Sequence, residues 1–134
     1  MNYKINLLEK AREAANNSYC PYSSFPVGAA VETHDGVIFT GCNIENASYS
    51  LCLCAERSAL SAAVSAGYRK FKAIAVTCKK AHPCNPCGAC LQFMSEFGNI
   101  EIILQSESGD VIAGELNDFL PNVFNSDSLK KIIS

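Results

Sequence analysis

Apolar and polar positions follow two different periods along the chain. Near the start, apolar residues recur every three or four positions, the spacing of one helix face: Leu7, Leu8, Ala11, Ala14 and Ala15. Shorter apolar runs, bounded by turn-forming residues, have the length and composition of strands. The pattern predicts helices over residues 4–16, 55–66, 88–97 and 126–133, a helical turn over 115–120, and strands over 27–33, 37–42, 73–78, 100–105 and 111–113.

The order of these elements predicts an α/β fold. Asp35-Gly36 separates the first two strands and is typical of a type I′ hairpin turn, in which both central residues take positive φ. The later strands alternate with helices, which indicates parallel pairing and helices on the faces of the sheet. We therefore expect a three-layer α/β/α sandwich with a mixed five-stranded sheet, formed by residues 1–134 as a single domain.

Composition and charge narrow the class of protein. The 134 residues are 49% hydrophobic and 18% charged, which is typical of a globular domain and not of a disordered chain. Eleven basic and 13 acidic residues nearly cancel, and this disfavours a nucleic-acid partner. No apolar stretch approaches the ~18 residues of a membrane span, and no export signal precedes the first helix. We expect a cytoplasmic protein that binds neither nucleic acid nor membrane.

Eight cysteines in a reducing compartment raise the possibility of a metal site. Two clusters, Cys54-Ala55-Glu56 and Pro86-Cys87-Gly88-Ala89-Cys90, stand at the starts of predicted helices. A helix N-terminus favours thiolate, the form of cysteine that binds metal. Three protein ligands are typical of a catalytic zinc ion, which keeps a position for water and lowers the pKa of that water. Glu56 is then placed to carry protons as a general acid and base.

Other interpretations of the cysteines stay open at this point. A Cys-x-x-Cys pair alone also fits a redox site or half of a structural zinc site. Cys84 precedes Cys87 by the same spacing that separates Cys87 from Cys90. Together with Cys54 these residues could form a four-cysteine structural zinc site, in an interaction module without catalysis. Pro86 bends the chain before the helix, so that Cys84 need not face the metal.

Four motifs, in order, resemble those of zinc-dependent cytidine deaminases of the small homotetrameric type. They are Phe25-Pro26-Val27-Gly28-Ala29-Ala30, Thr40-Gly41-Cys42-Asn43-Ile44-Glu45-Asn46-Ala47-Ser48-Tyr49, Cys54-Ala55-Glu56-Arg57 and Pro86-Cys87-Gly88-Ala89-Cys90. The resemblance covers about residues 5–124. It implies the same α/β/α fold and one Zn²⁺ per chain, with no organic cofactor.

The resemblance also implies a role for each matching residue of the metal centre. Cys54, Cys87 and Cys90 match the zinc ligands, and Glu56 matches the proton shuttle. Arg57 matches an arginine that offsets the negative charge of the thiolates.

The substrate contacts are implied in the same way. Phe25 matches the aromatic residue that packs against the pyrimidine, and Asn43 and Glu45 match the pair that binds the ribose 3′-hydroxyl. Ala55 lies where the backbone contacts the base. Tyr49 and Phe124 match residues that family members contribute to the active site of a neighbouring subunit, so the resemblance implies a homotetramer with composite active sites.

The activity that this resemblance implies is hydrolytic deamination of cytidine and 2′-deoxycytidine to uridine and 2′-deoxyuridine plus ammonia, in pyrimidine salvage. The substrate would be a small nucleoside. Related deaminases that act on a blasticidin-type aminonucleoside, or on a base within RNA or DNA, are the alternatives. The pairing of Asn43 with Glu45 favours the free nucleoside.

Overall fold

The structure, a computed structural model, describes residues 2–133. Its helices are α1 (Tyr3–Ala15), α2 (Ala55–Ser65), α3 (Gly88–Ser95), α4 (Leu116–Phe119) and α5 (Ser126–Ile133), with a 3₁₀ turn at Tyr49–Leu51. Its strands are β1 (Val27–Thr33), β2 (Ile38–Cys42), β3 (Phe71–Cys78), β4 (Glu101–Gln105) and β5 (Val111–Glu115). None of the helices in this part of the chain is long and apolar enough to span a membrane.

The five strands form one mixed sheet in the order β2-β1-β3-β4-β5. Strands β3 and β4, which α3 connects, pair in parallel, with Ile74 opposite Ile102. The other three pairings are antiparallel. Parallel pairing around an intervening helix is what the alternation of strand and helix patterns predicts, and the mixed five-stranded sheet is confirmed.

Helices cover both faces of the sheet, so the predicted three-layer sandwich is also confirmed. On one face, α1 buries its apolar stripe against small residues of β1 and β3, in a cluster of Leu7, Leu8, Ala11, Ala30, Ala73, Ala75 and Ile103. On the other face, α2 and α3 pack over Val31, Ile74 and Ile102 in a larger cluster. Each large aliphatic side chain buried in this way contributes about 1.5–3 kcal/mol to stability.

A glycine in β2 lets α2 approach the sheet closely. A Cβ atom added at Gly41 would lie 2.3 Å from the backbone nitrogen of Ala59 and 2.8 Å from the carbonyl oxygen of Ala55. No real side chain tolerates such distances to backbone atoms, so only glycine permits this packing. The close approach fixes the start of α2, where Cys54 and Glu56 lie.

The hairpin between β1 and β2 has a different turn from the one predicted. Gly36 has a φ of 85°, whereas Asp35 is not among the residues with positive φ, so the type I′ prediction is wrong. The amide of Gly36 donates to the carbonyl oxygen of Thr33, and the amide of Thr33 donates to that of Val37. A single glycine at positive φ after a normal turn closes a hairpin of this kind with a bulge, so Asp35 needs no unusual backbone.

Predicted and observed element bounds differ mainly where sheet pairing extends a strand. Strand β3 begins at Phe71 and not at residue 73, because the antiparallel ladder with β1 continues to the pair Thr33–Phe71. Strand β5 continues to Glu115, which pairs with Glu101. Local apolarity does not reveal such extensions, because the partner strand supplies the hydrogen bonds.

Candidate active site

Two helix starts on the same side of the sheet bring three cysteines together. Cys54 is the N-cap of α2 and Cys87 is the N-cap of α3, while Cys90 lies in the first turn of α3. The Sγ atoms of these three residues all lie within 4.8 Å of one another. Among the described residues, this is the group of metal-binding side chains that could hold an ion.

The donor set fits zinc. A tetrahedral ion with Zn–S bonds of about 2.3 Å holds its sulfurs about 3.8 Å apart, close to the spacing of this cluster. Hydrogen bonds from Cys90 and then from Arg57 lower the pKa of the Cys54 thiol to about 5. The site therefore favours a thiolate even before an ion binds. Thiolates select soft or borderline metals, so the three cysteines are suited to hold one Zn²⁺ per chain.

Glu56 lies beside this cluster and is nearly excluded from solvent. Its residue is 4% exposed, and burial raises the pKa of its carboxyl above the usual range. It lines the same cavity as Cys54 and Cys87. A buried carboxyl with a raised pKa, close to a metal site, is suited to accept and return a proton.

Arg57 contacts the cysteine cluster from the next position of α2. Its Nη2 lies 3.4 Å from Sγ of Cys54. The hydrogen bond to this sulfur raises the pKa of the guanidinium, which therefore stays charged. One positive charge at this place offsets part of the negative charge of three thiolates, as the resemblance implies.

A cavity of about 190 Å³ opens directly onto the metal cluster. Its walls include six residues that the sequence predicts for the site: Phe25, Asn43, Cys54, Ala55, Glu56 and Cys87. Val27, Cys84 and Asn85 line it as well and were not predicted to do so. Their position near Phe25 and before Pro86 was the only sign in the sequence, because the sequence alone does not show which side chains turn toward a cavity.

Asn43 holds the loop that carries Phe25. Its Nδ2 donates to the carbonyl oxygen of Phe25 at 2.8 Å, and its Oδ1 accepts from the amide of Val27 at 2.9 Å. The side chain thus fixes the backbone on both sides of Pro26 while it lines the cavity. This contact with its own chain was not predicted.

Glu45 lies outside that cavity. It accepts hydrogen bonds from the amides of Tyr22 and Ser23 and from the hydroxyl of Ser23. The Ser23 hydroxyl is the main cause of a lowered pKa for this carboxyl. Glu45 and Tyr49 line a neighbouring cavity of about 330 Å³, together with Tyr22. The structure therefore places Asn43 with the metal cluster and Glu45 next to it.

Cys84 does not join the metal cluster. Its sulfur is not among the three that lie within 4.8 Å of one another. Burial raises the pKa of its thiol to about 12, so the residue stays protonated. It lines the cavity and packs against the apolar core. The four-cysteine structural site is therefore not formed.

Phe124, which the resemblance assigns to a neighbouring subunit, is exposed in the single chain. Its residue is 53% exposed. The segment that carries it is tied to α3, because Gln92 donates to the carbonyl oxygen of Phe124 and accepts from its amide, at 2.6 and 3.1 Å. Neither Phe124 nor Tyr49 lines the metal-side cavity of its own chain.

Known proteins are similar to this chain in both sequence and fold. Residues 1–106 match the family model for the cytidine and deoxycytidylate deaminase zinc-binding region. A cytidine deaminase of Sporosarcina psychrophila is 44% identical over 125 residues, which cover 92% of each chain. A probable cytidine deaminase of Dictyostelium discoideum is 45% identical, covering 91% of this chain and 86% of the relative.

Solved structures of cytidine deaminases are similar to this chain as well. The crystal structure of cytidine deaminase from Burkholderia pseudomallei matches with a TM-score of 0.86 and 49% identity, covering 92% of this chain and 100% of that chain. Cytidine deaminase from Mycobacterium tuberculosis matches with a TM-score of 0.79 and 35% identity, covering 92% and 98%. Because the family model matches residues 1–106 and a cytidine deaminase is 44% identical over 92% of the chain, the chain belongs to the cytidine and deoxycytidylate deaminase family.

Proposed function

We propose that this protein deaminates cytidine and 2′-deoxycytidine by hydrolysis, giving uridine and 2′-deoxyuridine plus ammonia. The observation that carries the proposal is the meeting of three cysteine sulfurs with buried Glu56 at one cavity. The substrate of the named relatives supports the choice of cytidine. Residues 1–134 would act as one catalytic domain, and the activity would serve pyrimidine salvage in the cytoplasm.

The metal would be held by Cys54, Cys87 and Cys90. When bound, zinc supplies the Lewis acidity that makes water a nucleophile at neutral pH. Cys54 and Cys87 line the cavity, whereas Cys90 is fully buried behind them. This arrangement keeps one side of the cluster open to substrate, which a catalytic metal site requires.

Glu56 would move the protons of the reaction. Its carboxylate takes a proton from the attacking water and delivers it to N3 of the pyrimidine as the new C4–O bond forms. It then takes the remaining proton from the hydroxyl group on C4 and passes it to the exocyclic amine, which leaves C4 as ammonia while the C4 carbonyl forms. Burial raises the pKa of this carboxyl, so Glu56 accepts a proton from water more readily than an exposed carboxylate would.

The cavity walls would orient the nucleoside. Phe25 would offer an aromatic face to the pyrimidine and the backbone at Ala55 would pair with the base, a proposal supported by their position in the wall of the cavity. Asn43 would reach the ribose hydroxyl with the amide proton that its contact with Phe25 does not use. Glu45 would accept from the same sugar at the edge of the neighbouring cavity.

A neighbouring copy of the chain would complete each site, in a homotetramer. Five large apolar residues of the loops that carry Ser23 and Glu45 are exposed: Tyr19, Tyr22, Ile44, Tyr49 and Leu51. Tyr22 contacts Tyr49, and Tyr19 pairs with Ile44. Exposed apolar residues that lie together in this way favour an interaction site. Tyr49 and Phe124 would then act in the active site of the neighbour.

The proposal is tested by following cytidine absorbance with zinc-stripped protein, before and after zinc is added back. We expect no turnover without metal and recovery at about one zinc per chain. Glu56→Gln should keep its zinc but lose turnover by at least about 10²-fold. Glu96→Gln, an exposed carboxylate at the end of α3, is the matched control and should stay active. Full activity of Glu56→Gln would refute the mechanism.

A further inference from the structure

A further cavity, called the second cavity below, lies on the opposite face of the sheet from the metal cluster, under α1. It has a volume of about 200 Å³ and is lined by Arg12 and Ala15 of α1, Thr77 and Cys78 at the end of β3, and Lys79 and His82 of the following loop. None of these six residues lines the metal-side cavity. The proposed deamination does not involve the second cavity.

The two cations of this cavity have only neutral partners. Nη2 of Arg12 donates to Oε1 of Gln105 at 2.7 Å, and Nζ of Lys79 donates to Oδ1 of Asn16 at 2.8 Å. Within residues 2–133, neither cation forms an ion pair with a carboxylate. Arg12 keeps further N–H donors, and Lys79 keeps two more. Both side chains are thus positioned by amides and remain available to an anion.

Two carboxylates stand nearby and bear on the charge of the site. Glu9 and Glu13 line an adjoining groove that also includes Arg12 and Lys79. They are not part of the lining of the second cavity. The groove therefore shares its cations with the cavity, but the acidic groups lie on the groove side.

His82 lines the same cavity and carries one unpaired polar atom. Its Nδ1 is shielded from solvent and has no hydrogen-bond partner among the described residues. A buried polar atom without a partner is unfavourable unless a ligand or water pairs with it. Thr77, whose residue is almost fully buried, contributes a hydroxyl-bearing side chain to the same wall.

We propose that this cavity binds a phosphate group. Arginine and lysine at the rim supply charge-assisted donors, and a phosphate oxygen can pair with the donors that histidine and threonine offer. The group could come from inorganic phosphate or from a nucleotide. Either source presents the same dianion to Arg12, Lys79 and His82.

The loop that binds the phosphate group also forms a wall of the active-site cavity. Lys79 and His82 face one cavity, and Cys84 and Asn85 of the same loop line the other. A ligand on one side would hold residues 79–87 in place on both sides. An anion bound in the second cavity would thus also hold the loop in place beside the active-site cavity.

The test measures phosphate binding to the zinc-loaded protein by titration calorimetry, with chloride at matched ionic strength as the blank. We expect saturable binding of one phosphate per chain. Arg12→Gln and Lys79→Gln should each weaken it by about tenfold, the loss of one charge-assisted hydrogen bond. Lys10→Gln removes a charge from the same helix outside the cavity and should leave affinity within about twofold.

Thermal unfolding and zinc content of each variant show whether it is folded. Phosphate should raise the melting temperature of the wild-type protein and of Lys10→Gln, but not of the double variant Arg12→Gln/Lys79→Gln. Adenosine 5′-monophosphate, whose base is not a pyrimidine, replaces phosphate in a second arm. Tighter binding of the nucleotide identifies a nucleotide as the source, and equal binding identifies free phosphate.

Two results would overturn the proposal. One is the absence of saturable phosphate binding to the wild-type protein. The other is an equal loss of affinity in Lys10→Gln and in the cavity variants, which would show only general charge attraction. Both readouts are independent of cytidine turnover, so they stand apart from the test of deamination.

Discussion

Asn43 and Glu45 each hold part of the loop that precedes β1. Asn43 fixes the backbone at Phe25 and Val27, and Glu45 fixes the backbone at Tyr22 and Ser23. The two side chains proposed to bind the sugar therefore also shape the wall that faces the base. A substitution at either position should change the loop and the sugar contact together.

The carboxyl of Glu45 offers a direct test of this support. The Ser23 hydroxyl is the main reason for its lowered pKa, so Ser23→Ala should raise that pKa toward the ordinary value. A carboxyl with a lowered folded-state pKa stabilises the fold above its unfolded pKa, and this contribution is lost as pH falls through the folded pKa. The variant should therefore show a smaller loss of stability on the acid side.

Carboxyl-detected NMR titration measures the pKa, and unfolding at several acid pH values measures the linkage. Ser18→Ala is the control, since Ser18 contacts Cys20 and not Glu45. An unchanged Glu45 pKa in Ser23→Ala would contradict the assignment.

Single substitutions can also distinguish the cysteines that bind zinc from Cys84, which does not belong to the cluster. Cys87→Ala should lose bound zinc, because its sulfur belongs to the cluster, whereas Cys84→Ala should keep about one zinc per chain. Metal analysis after dialysis gives both values. Equal zinc loss from the two variants would restore the four-cysteine interpretation.

At the scale of elements, the N-termini of α2 and α3 position the cysteines of the metal cluster. Cys54 and Cys87 are both N-caps, with extended backbone just before the helix. Helix N-termini place free amide groups and partial positive charge beside both sulfurs. Contact between α2 and α3 then brings the two starts to one place.

Gly41 sets how closely α2 packs on the sheet. Gly41→Ala should lower stability by about 1–3 kcal/mol, because its Cβ would overlap the backbone of Ala59 and the helix must move. Gly88→Ala is the control, since a Cβ there meets nothing within 4 Å. Thermal unfolding of the metal-free protein compares them. A melting temperature equal to wild type in Gly41→Ala would show that α2 is not held by this contact.

Elements that carry their own periodicity were predictable, and contacts set by distant chain segments were not. The stripe from Leu7 to Ala15 and the alternation around β3 and β4 are local signals, and the sandwich follows from them. The cluster at Cys54, Cys87 and Cys90 was predictable because each of its two motifs is a local pattern, and the resemblance joins the two. The hairpin turn was predicted wrongly, because Asp-Gly fits more than one turn and the register of β1 on β2 decides between them.

The walls of the active-site cavity show the same limit. Val27 lies two positions after Phe25 and Asn85 directly precedes Pro86, yet neither position tells which way a side chain points. The support that Ser23 gives to Glu45 joins residues 22 positions apart in the chain. Only the folded loop brings such pairs together.

At the scale of the whole molecule, the single chain leaves two proposed site residues exposed. Tyr49 is 73% exposed and Phe124 is 53% exposed. Burial of a large aromatic side chain usually stabilises a protein, so the exposure of these two residues indicates a surface that a partner chain covers. We expect light scattering to show a particle of about four chains.

A mixing experiment tests whether sites are shared between copies. Glu56→Gln lacks the proton carrier, and Phe124→Ala should lower kcat/KM by about tenfold. When the two variants are co-expressed in equal amounts, some sites combine intact Glu56 from one chain with intact Phe124 from its neighbour. Activity should then rise to about one quarter of wild type.

The control is a mixture of separately assembled variants that cannot exchange chains. Its activity should stay at the sum of the two parts. If co-expression gives no increase over this sum, Phe124 acts within its own chain or not at all.

Cys54 and Cys87 lie far apart along the chain but belong to one cluster in the fold. An ion held by both helix starts ties together segments that separate on unfolding, so each unfolding event must also release the ion. The lifetime of the protein against proteolysis would then follow the metal supply. A zinc-starved cell would lose the protein itself by degradation and not only its activity.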